Sequence, residues 1–568
     1  MSSGLDHDWV VIGSGFGGAV SALRLSEKGH DVAVLECGRR FADDEFAKST
    51  WDAKRYWWMP KLGFHGIFRL STFKDVSVVS GCGVGGGSLG YANTLYRARE
   101  AFYADPQWSA LADDWKAELE RHYDEAERML GVVDVTVDDP ADDLLHEFGR
   151  HIGVEKSYAK TRVGVYFGEA GVTAEDPFFG GEGPPRTGCE FIGRCMVGCP
   201  VGAKNTLEKN YLWFAERRGA KIEPMRTVVD IRPLGAADGS DGYEIVHERS
   251  GAWLRKDRQV LRTRGVVVAA GALGTNRLLQ RCKRSGSLNV SDRLGELVRT
   301  NSEAILAVTL PDGALPGDMT KRVAISGSIY PDPDTHIETV SYGNDGDSIS
   351  FLYTLLVGDG TRVTRPLKWV AAMLRHPIKA TKVWWPFGWS RRTIILLVMQ
   401  TLDNAIALRP KRTLFGGLKL QTEQDPEKPN PTFIPVANEA AEWIADRTGG
   451  IAQSSITEAL MNVPTTAHIL GGAAIGESPA TGVVDARQRL FGYENLLVCD
   501  GSVVPANIGV NPSLTITALA ERAMTFVADS AAWTSTATAS PASPNGSPSL
   551  STNGHVPPAR STSAPTRS

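Results

Sequence analysis

Two continuous apolar runs, each leading into glycines, organise this chain. Val10-Val11-Ile12 enters Gly13-Ser14-Gly15-Phe16-Gly17-Gly18, a helical stretch follows, and Asp31-Val32-Ala33-Val34-Leu35 ends on Glu36. The pattern predicts strand, tight turn, helix and second strand. Val266-Val267-Val268 enters Gly271-Ala272-Leu273-Gly274 in the same manner, as a parallel strand covered on both faces does. Related patterning returns over 495–527. Residues 109–131 have helical spacing, with Trp115, Leu119, Tyr123 and Met129 on one side, and 219–231 read as a strand after a helix. Residues 302–460 change character: segments such as 393–400 and 404–408 predict an antiparallel sheet. From about Ser535 the chain is mostly Ser, Thr, Ala, Pro and Gly, so 535–568 is expected to be a disordered tail.

Nucleotide-binding patterns therefore occur near both ends and in the middle. They predict an α/β, Rossmann-type cofactor domain assembled from discontinuous segments: 1–100, 190–302 and 464–530. An inserted α+β substrate domain on a mainly antiparallel sheet would take 101–189 and 303–463.

The first segment has a physical task at each position. Gly13 permits the tight turn, Gly15 lets a pyrophosphate approach the backbone, and Gly18 lets helix and strand pack closely. The helix N-terminus offers free N–H groups and the positive end of its dipole to phosphates. Glu36 lies 18 residues past Gly18, where a carboxylate accepts hydrogen bonds from an adenosine ribose. Together these predict a bound dinucleotide.

Bulk properties narrow the partners. A net charge of −4 gives no reason to expect nucleic acid. No run of 18 apolar residues predicts a membrane span, and no signal peptide is evident, so a cytoplasmic location is expected, with or without membrane association. Seven cysteines, an odd number in a long chain, do not resemble a disulfide framework.

Several separated motifs agree with one another. They are the fingerprint with Glu36; Gly83-Val84-Gly85-Gly86-Gly87-Ser88-Leu89; Ala269-Ala270-Gly271-Ala272-Leu273-Gly274-Thr275; Ala467-His468-Ile469-Leu470-Gly471-Gly472; and Val498-Cys499-Asp500-Gly501-Ser502 followed by Gly509-Val510-Asn511-Pro512. Over about residues 8–528 the chain resembles the glucose–methanol–choline (GMC) family of FAD oxidoreductases, in its cholesterol oxidase-like branch. The resemblance implies an FAD flavoenzyme that oxidises a 3β-hydroxysterol to the 3-ketosteroid, with or without Δ5 to Δ4 isomerisation. It implies that Glu36 holds the adenosine ribose, Val228 meets adenine through its backbone, Gly87 and Asn93 line the flavin, and Asp500 and Gly501 lie near the ribityl and pyrophosphate. His468 and Asn511 would face the substrate hydroxyl, and Glu338 would move a steroid-ring proton.

The chemistry suits these residue types. Alcohol oxidation sends a hydride to the cofactor and a proton to the protein. Histidine accepts protons near neutral pH, while Asn511 can orient a hydroxyl without competing as a base. A carboxyl such as Glu338 in an apolar cavity gains proton affinity and can shuttle protons. His336, on the same strand face, reads as structural. Two other classes stay open: a flavin dehydrogenase for another lipophilic alcohol, with an acceptor other than O2, and a flavin-bound lipid-binding protein without turnover.

Cys189, Cys195 and Cys199 lack a fourth ligand and zinc-type spacing, so no metal is assigned and a loop beside the flavin is expected. Residues 366–392 mix Trp369, Trp384, Trp385, Phe387 and Trp389 with Lys368, Arg375, Lys379, Lys382, Arg391 and Arg392. That mixture reads either as a helix pair with buried tryptophans or as a lipid-interface segment collecting sterol from a bilayer. Apolar insert residues, among them Ile349, Phe351, Leu352, Leu355, Leu356, Ile394, Leu396, Leu397 and Met399, would wall a sterol cavity.

Overall fold

The computed structural model describes residues 4–412 and 418–531; the expected tail over 535–568 lies outside the described residues. Its first sheet has seven strands. Lys221–Glu223, Val32–Leu35, His7–Ile12, the second half of Gln259–Val268 and Leu496–Val498 run parallel, in that order. Val10 pairs with Val266 on one side and Ala33 on the other, and Val267 pairs with Leu497. Val32–Leu35, Val266–Val268 and Leu496–Val498 are buried throughout, which is why they read as unbroken apolar runs.

The first half of Gln259–Val268 joins an antiparallel meander with Tyr243–Arg249 and Arg226–Pro233. The stretch 219–231, expected as one strand, is two. Met225 adopts a left-handed φ of 61° and turns the chain between Lys221–Glu223 and Arg226–Pro233. Met225 N–H donates to Gly38 O and Arg226 N–H to Glu36 O, both at 2.8 Å, so the turn is bonded to the end of the fingerprint strand. Helix Trp115–Leu130 starts at Asp114, whose carboxylate accepts the Ala117 N–H at 3.0 Å, and stops at left-handed Gly131. Trp115, Leu119, Tyr123 and Met129 are all buried, as their spacing predicts.

The second sheet also has seven strands, all antiparallel: Tyr353–Leu355, Ile451–Ser455, Ala304–Thr309, Thr393–Gln400, Thr335–Val340, Ile325–Ile329 and Ala159–Lys160. One face packs on helices Pro140–His151 and Pro435–Thr448 through Ile337, Ile394, Leu396 and Val398. The opposite face carries Ala307, Ile395, Leu397 and Met399, and Leu397 stands directly opposite Glu338. The strand expected at 404–408 is Ile406–Arg412, paired with Leu418–Gln424 as a separate ribbon. It begins later because Asn404 is held beforehand: its carbonyl accepts from Arg299 at 2.6 Å and its side chain from Asn507 at 2.9 Å.

Candidate active site

The first glycine segment is built by backbone contact. Gly13 has φ +102°, and a Cβ there would fall 2.3 Å from Ala269 O. A Cβ on Gly17 would fall 1.7 Å from Cys499 O, and one on Gly18 2.0 Å from Gly13 O. These glycines let strand, helix and the 499–501 turn touch. Gly15 and Gly87 differ: a Cβ would meet only Gly86 Cα at 4.0 Å and Phe16 Cε2 at 3.6 Å. Space is left beside both. No side chain caps helix Phe16–Glu27 at Gly15 and no acid occupies its first turn, so its N–H groups are offered to a ligand.

Glu36 is buried at the end of its strand. Its Oε2 accepts from Ser14 N–H at 3.1 Å and Ser14 Oγ at 2.8 Å, and its Oε1 accepts from Gly38 N–H at 2.8 Å. Ser14 Oγ also accepts from Gly85 N–H at 3.1 Å, which locks the two glycine segments together. Val228 lies two residues beyond Arg226, whose N–H donates to Glu36 O. Asp500 Oδ2 accepts from Gly271 N–H at 2.9 Å and Thr275 Oγ at 2.5 Å, and its Oδ1 from Ser502 N–H at 2.8 Å. Asp500 thus joins the two later motifs, with Gly501 following. Asn93 is fully buried at φ 71°, and neither amide atom makes a well-formed hydrogen bond; the Cys195 thiol is a polar neighbour. A free helix N-terminus, two open glycine faces and an unsatisfied buried amide fit FAD lying along this groove.

The second cluster joins residues of the second sheet to the segments around His468 and Asn511. Glu303 precedes strand Ala304–Thr309, and its Oε1 pairs with His468 Nδ1. Its other oxygen accepts from Ala467 N–H at 2.8 Å. His468 N–H donates to Thr466 Oγ at 2.9 Å, and Thr466 donates to Thr300 O at 2.9 Å. Nδ1 being occupied, Nε2 has no partner among the described residues. Asn511 Nδ2 donates to Glu338 Oε2 at 3.2 Å, while Asn511 Oδ1 and Glu338 Oε1 are buried and unpaired. Asn301 positions the Asn511 loop: its Oδ1 accepts from Gly509 N–H at 2.8 Å and its Nδ2 donates to Val510 O at 3.0 Å. Asn511 does not cap helix Ser513–Thr525.

The environment shifts both titratable groups. Burial pushes the Glu338 carboxyl up to about 8, helped by the Glu303 charge and opposed by Asn511 and His468. Burial alone would lower His468, but the Glu303 carboxylate outweighs it and raises its proton affinity. The arrangement offers a histidine ready to accept a proton at Nε2, an amide to orient, and an acid that is neutral at pH 7.

His468, Asn511 and Glu338, distant in sequence, therefore lie in one cluster, and Gly13, Gly15, Gly18, Glu36, Gly87, Asp500 and Gly501 line or brace another. Glu303 escaped the sequence reading. Its one signal is an acid placed directly before the apolar run Ala304-Ile305-Leu306-Ala307-Val308, where no solvated face is available. The expected sterol wall needs correction: Ile394 and Leu396 face the helices, and Phe351 is exposed, whereas Ile349, Leu397 and Met399 share the inner cluster. His336 is buried, stacked on Tyr330 with ring centroids 4.4 Å apart. Cys189, Cys195 and Cys199 are half-buried and pack around Val165 and Ala203. Residues 366–392 divide between buried and exposed aromatic side chains. Trp389 is 1% exposed and belongs to the core, while Trp385 and Phe387 are each 60% exposed.

Comparison with known proteins identifies the family and the fold. Residues 8–46 match an FAD binding domain model and residues 416–520 a GMC oxidoreductase model. A cholesterol oxidase of Acinetobacter baumannii is 47% identical over 92% of this chain and 94% of its own length. A cholesterol oxidase of Mycobacterium tuberculosis is also 47% identical, over 91% of this chain and 90% of its own. The fold is that of the solved pyridoxine 4-oxidase from Mesorbium loti, at TM-score 0.60 and 15% identity, covering 91% of this chain and 99% of that one. With its FAD-binding fingerprint and GMC C-terminal region on one continuous fold, the chain belongs to the GMC family of FAD oxidoreductases.

Proposed function

We propose that this protein oxidises a 3β-hydroxysterol to the 3-ketosteroid and moves the Δ5 double bond to Δ4. The observation that carries the reading is the convergence of Glu303–His468 and Asn511–Glu338 beside the apolar wall of Ile395, Leu397 and Met399. Relatives named cholesterol oxidase, similar over nearly the whole chain, support the substrate class. A four-ring sterol would bury about 400 Å² of apolar surface, worth about 10 kcal/mol before association costs.

FAD, when bound, supplies the hydride acceptor; Gly13, Gly15, Gly18, Glu36, Gly87, Asn93, Val228, Asp500 and Gly501 would hold it. Asn511 Oδ1 orients the substrate hydroxyl. His468 Nε2 takes the hydroxyl proton, and Glu303 stabilises the resulting imidazolium and fixes the tautomer. Glu338, as a carboxylate, removes a C4 proton and returns it at C6. We divide the chain accordingly: 1–100, 190–302 and 464–530 for the cofactor, 101–189 and 303–463 for the substrate. The first sheet, which draws strands from all three cofactor segments, supports that division.

A lipid surface is the proposed source of substrate. Helix Thr364–Arg375 is inverted: its one buried residue is Arg365, while Leu367, Val370 and Leu374 are exposed. Trp51, Phe351, Phe387 and Trp385 form an exposed aromatic group, with Trp51–Phe351 at 5.9 Å, Trp51–Phe387 at 6.1 Å and Trp385–Phe387 at 5.4 Å. Exposed Lys379 and Lys382 flank it. No described helix is long and apolar enough to cross a membrane.

The test is anaerobic mixing of the holoenzyme with cholesterol while the visible flavin band is followed. Bleaching is expected. Bleaching by other lipophilic alcohols but not by any sterol overturns the substrate; no bleaching by any alcohol overturns turnover itself. Reoxidation in air then separates an oxidase from a dehydrogenase.

A further inference from the structure

Cys37 and Cys82 have no part in the chemistry above. Cys37 directly follows Glu36, and Cys82 lies between Gly81 and Gly83 in the second glycine segment. Their sulfurs are 3.6 Å apart although the residues are 45 positions apart. The backbones approach equally closely: a Cβ on Gly38 would fall 2.3 Å from Gly83 N and 2.9 Å from the Cys82 carbonyl carbon. Cys37 Sγ donates to Glu36 Oε1 at 3.4 Å. Arg69 Nη2 donates to both sulfurs, at 3.7 Å and 3.6 Å. Both thiols are free; Cys82 is buried and Cys37 half-buried, so a small oxidant meets Cys37 first.

We propose that Cys37 and Cys82 form a dithiol site at the adenosine end of the cofactor groove, which a hydroperoxide oxidises to an intramolecular disulfide. With hydrogen peroxide, the Cys37 sulfur attacks one oxygen and the O–O bond breaks. Glu36 takes the thiol proton and passes it to the departing hydroxide, leaving Cys37 sulfenic acid and one water. The Cys82 sulfur then attacks the Cys37 sulfur, the S–O bond breaks, and the second thiol proton leaves with that oxygen as water. Two thiols lose two protons and two electrons, and one peroxide becomes two waters. Arg69, donating to both sulfurs, is placed to stabilise the thiolate character each gains as its proton leaves, before the attack. Closure draws the sulfurs to about 2.05 Å and removes the Cys37 hydrogen bond to Glu36. It should therefore alter how firmly the adenosine end is held; this effect, and the name given to that end of the groove, rest on the FAD assignment of Glu36, and the dithiol chemistry does not.

The test treats holoenzyme with a few equivalents of hydrogen peroxide, quenches with catalase, alkylates remaining thiols and maps peptides. The expected result is an intact mass lower by about 2 Da before alkylation, the mass of two hydrogens, and a linked pair of peptides carrying Cys37 and Cys82. Cys37→Ser and Cys82→Ser should each abolish the link. A stable sulfinic acid at Cys37 with Cys82 reduced, or linkage confined to Cys189, Cys195 and Cys199, overturns the site. Flavin release in mild urea should differ at least about threefold between oxidised and reduced wild type. Unchanged release with the disulfide formed leaves the dithiol standing and overturns the part assigned to Glu36.

Discussion

The cofactor groove and the reaction chamber are built by opposite means. The groove is made of backbone: Gly13, Gly17 and Gly18 are glycine because carbonyl oxygens lie where a Cβ would be. The chamber is made of side chains whose proton affinities are displaced, Glu338 upward by burial and His468 upward by Glu303. The groove tolerates no added atom at Gly13, Gly17 or Gly18. The chamber depends instead on which charges face each other. Damage to the first should cost binding, and damage to the second should cost rate.

The sharpest test of that division is His468→Ala. It should lower the rate of flavin bleaching by about 10²–10⁴ while flavin content stays at the wild-type ratio. Gly18→Ala should do the reverse. With its Cβ 2.0 Å from Gly13 O, strand and helix must separate. Flavin affinity should fall at least about 100-fold, roughly 3 kcal/mol, by fluorescence titration of apoprotein. If either variant showed the other's behaviour, the division would fail.

Glu303→Gln should slow bleaching by roughly 10–100-fold, because the imidazolium loses its counter-charge. Its pH profile carries more information than its rate. In the proposed mechanism neutral His468 is the base, so the rate should rise with pH through the histidine's pKa. Removing the carboxylate that raises that pKa should move the rising limb to lower pH. An unmoved limb would mean that another group titrates.

Glu338→Gln should abolish isomerisation and leave oxidation within about tenfold. In the wild type, isomerisation should accelerate as pH rises through about 8, because the base is the ionised form. Stability should run the other way. The fold raises this carboxyl from 4.5 to about 8, so the folded state holds an extra proton between those values. Its stabilising share is complete below pH 4.5 and is lost as pH rises to 8. At pH 9 the Gln variant should be more stable than wild type by roughly 1–3 kcal/mol in urea unfolding.

The smallest effect on chemistry belongs to the surface. Trp384, Trp385 and Phe387 changed together to Ala should leave turnover of detergent-dispersed sterol within about twofold. Sedimentation with vesicles should fall about tenfold, and equal partitioning would remove the lipid reading. Trp389 is excluded from that variant because it fills the core beside Tyr353.

What the sequence determined by itself was local. Glycine spacing after an apolar run specified a turn, because only glycine permits such close backbone approach, and both central strands were legible because strands buried on both faces are apolar throughout. Helix Trp115–Leu130 was legible from spacing alone. The tertiary structure decided everything that depends on which surfaces meet. In Thr393–Gln400 nearly every side chain is apolar, so periodicity could not tell that Ile394 and Leu396 face helices while Leu397 faces Glu338. Glu303 and His468 are 165 positions apart, and Asn301 steadies a loop 208 positions away. Cys37 and Cys82 are each unremarkable in sequence. Such pairs carry no local signature, because a buried side chain's chemistry is set by whichever neighbours the fold places against it.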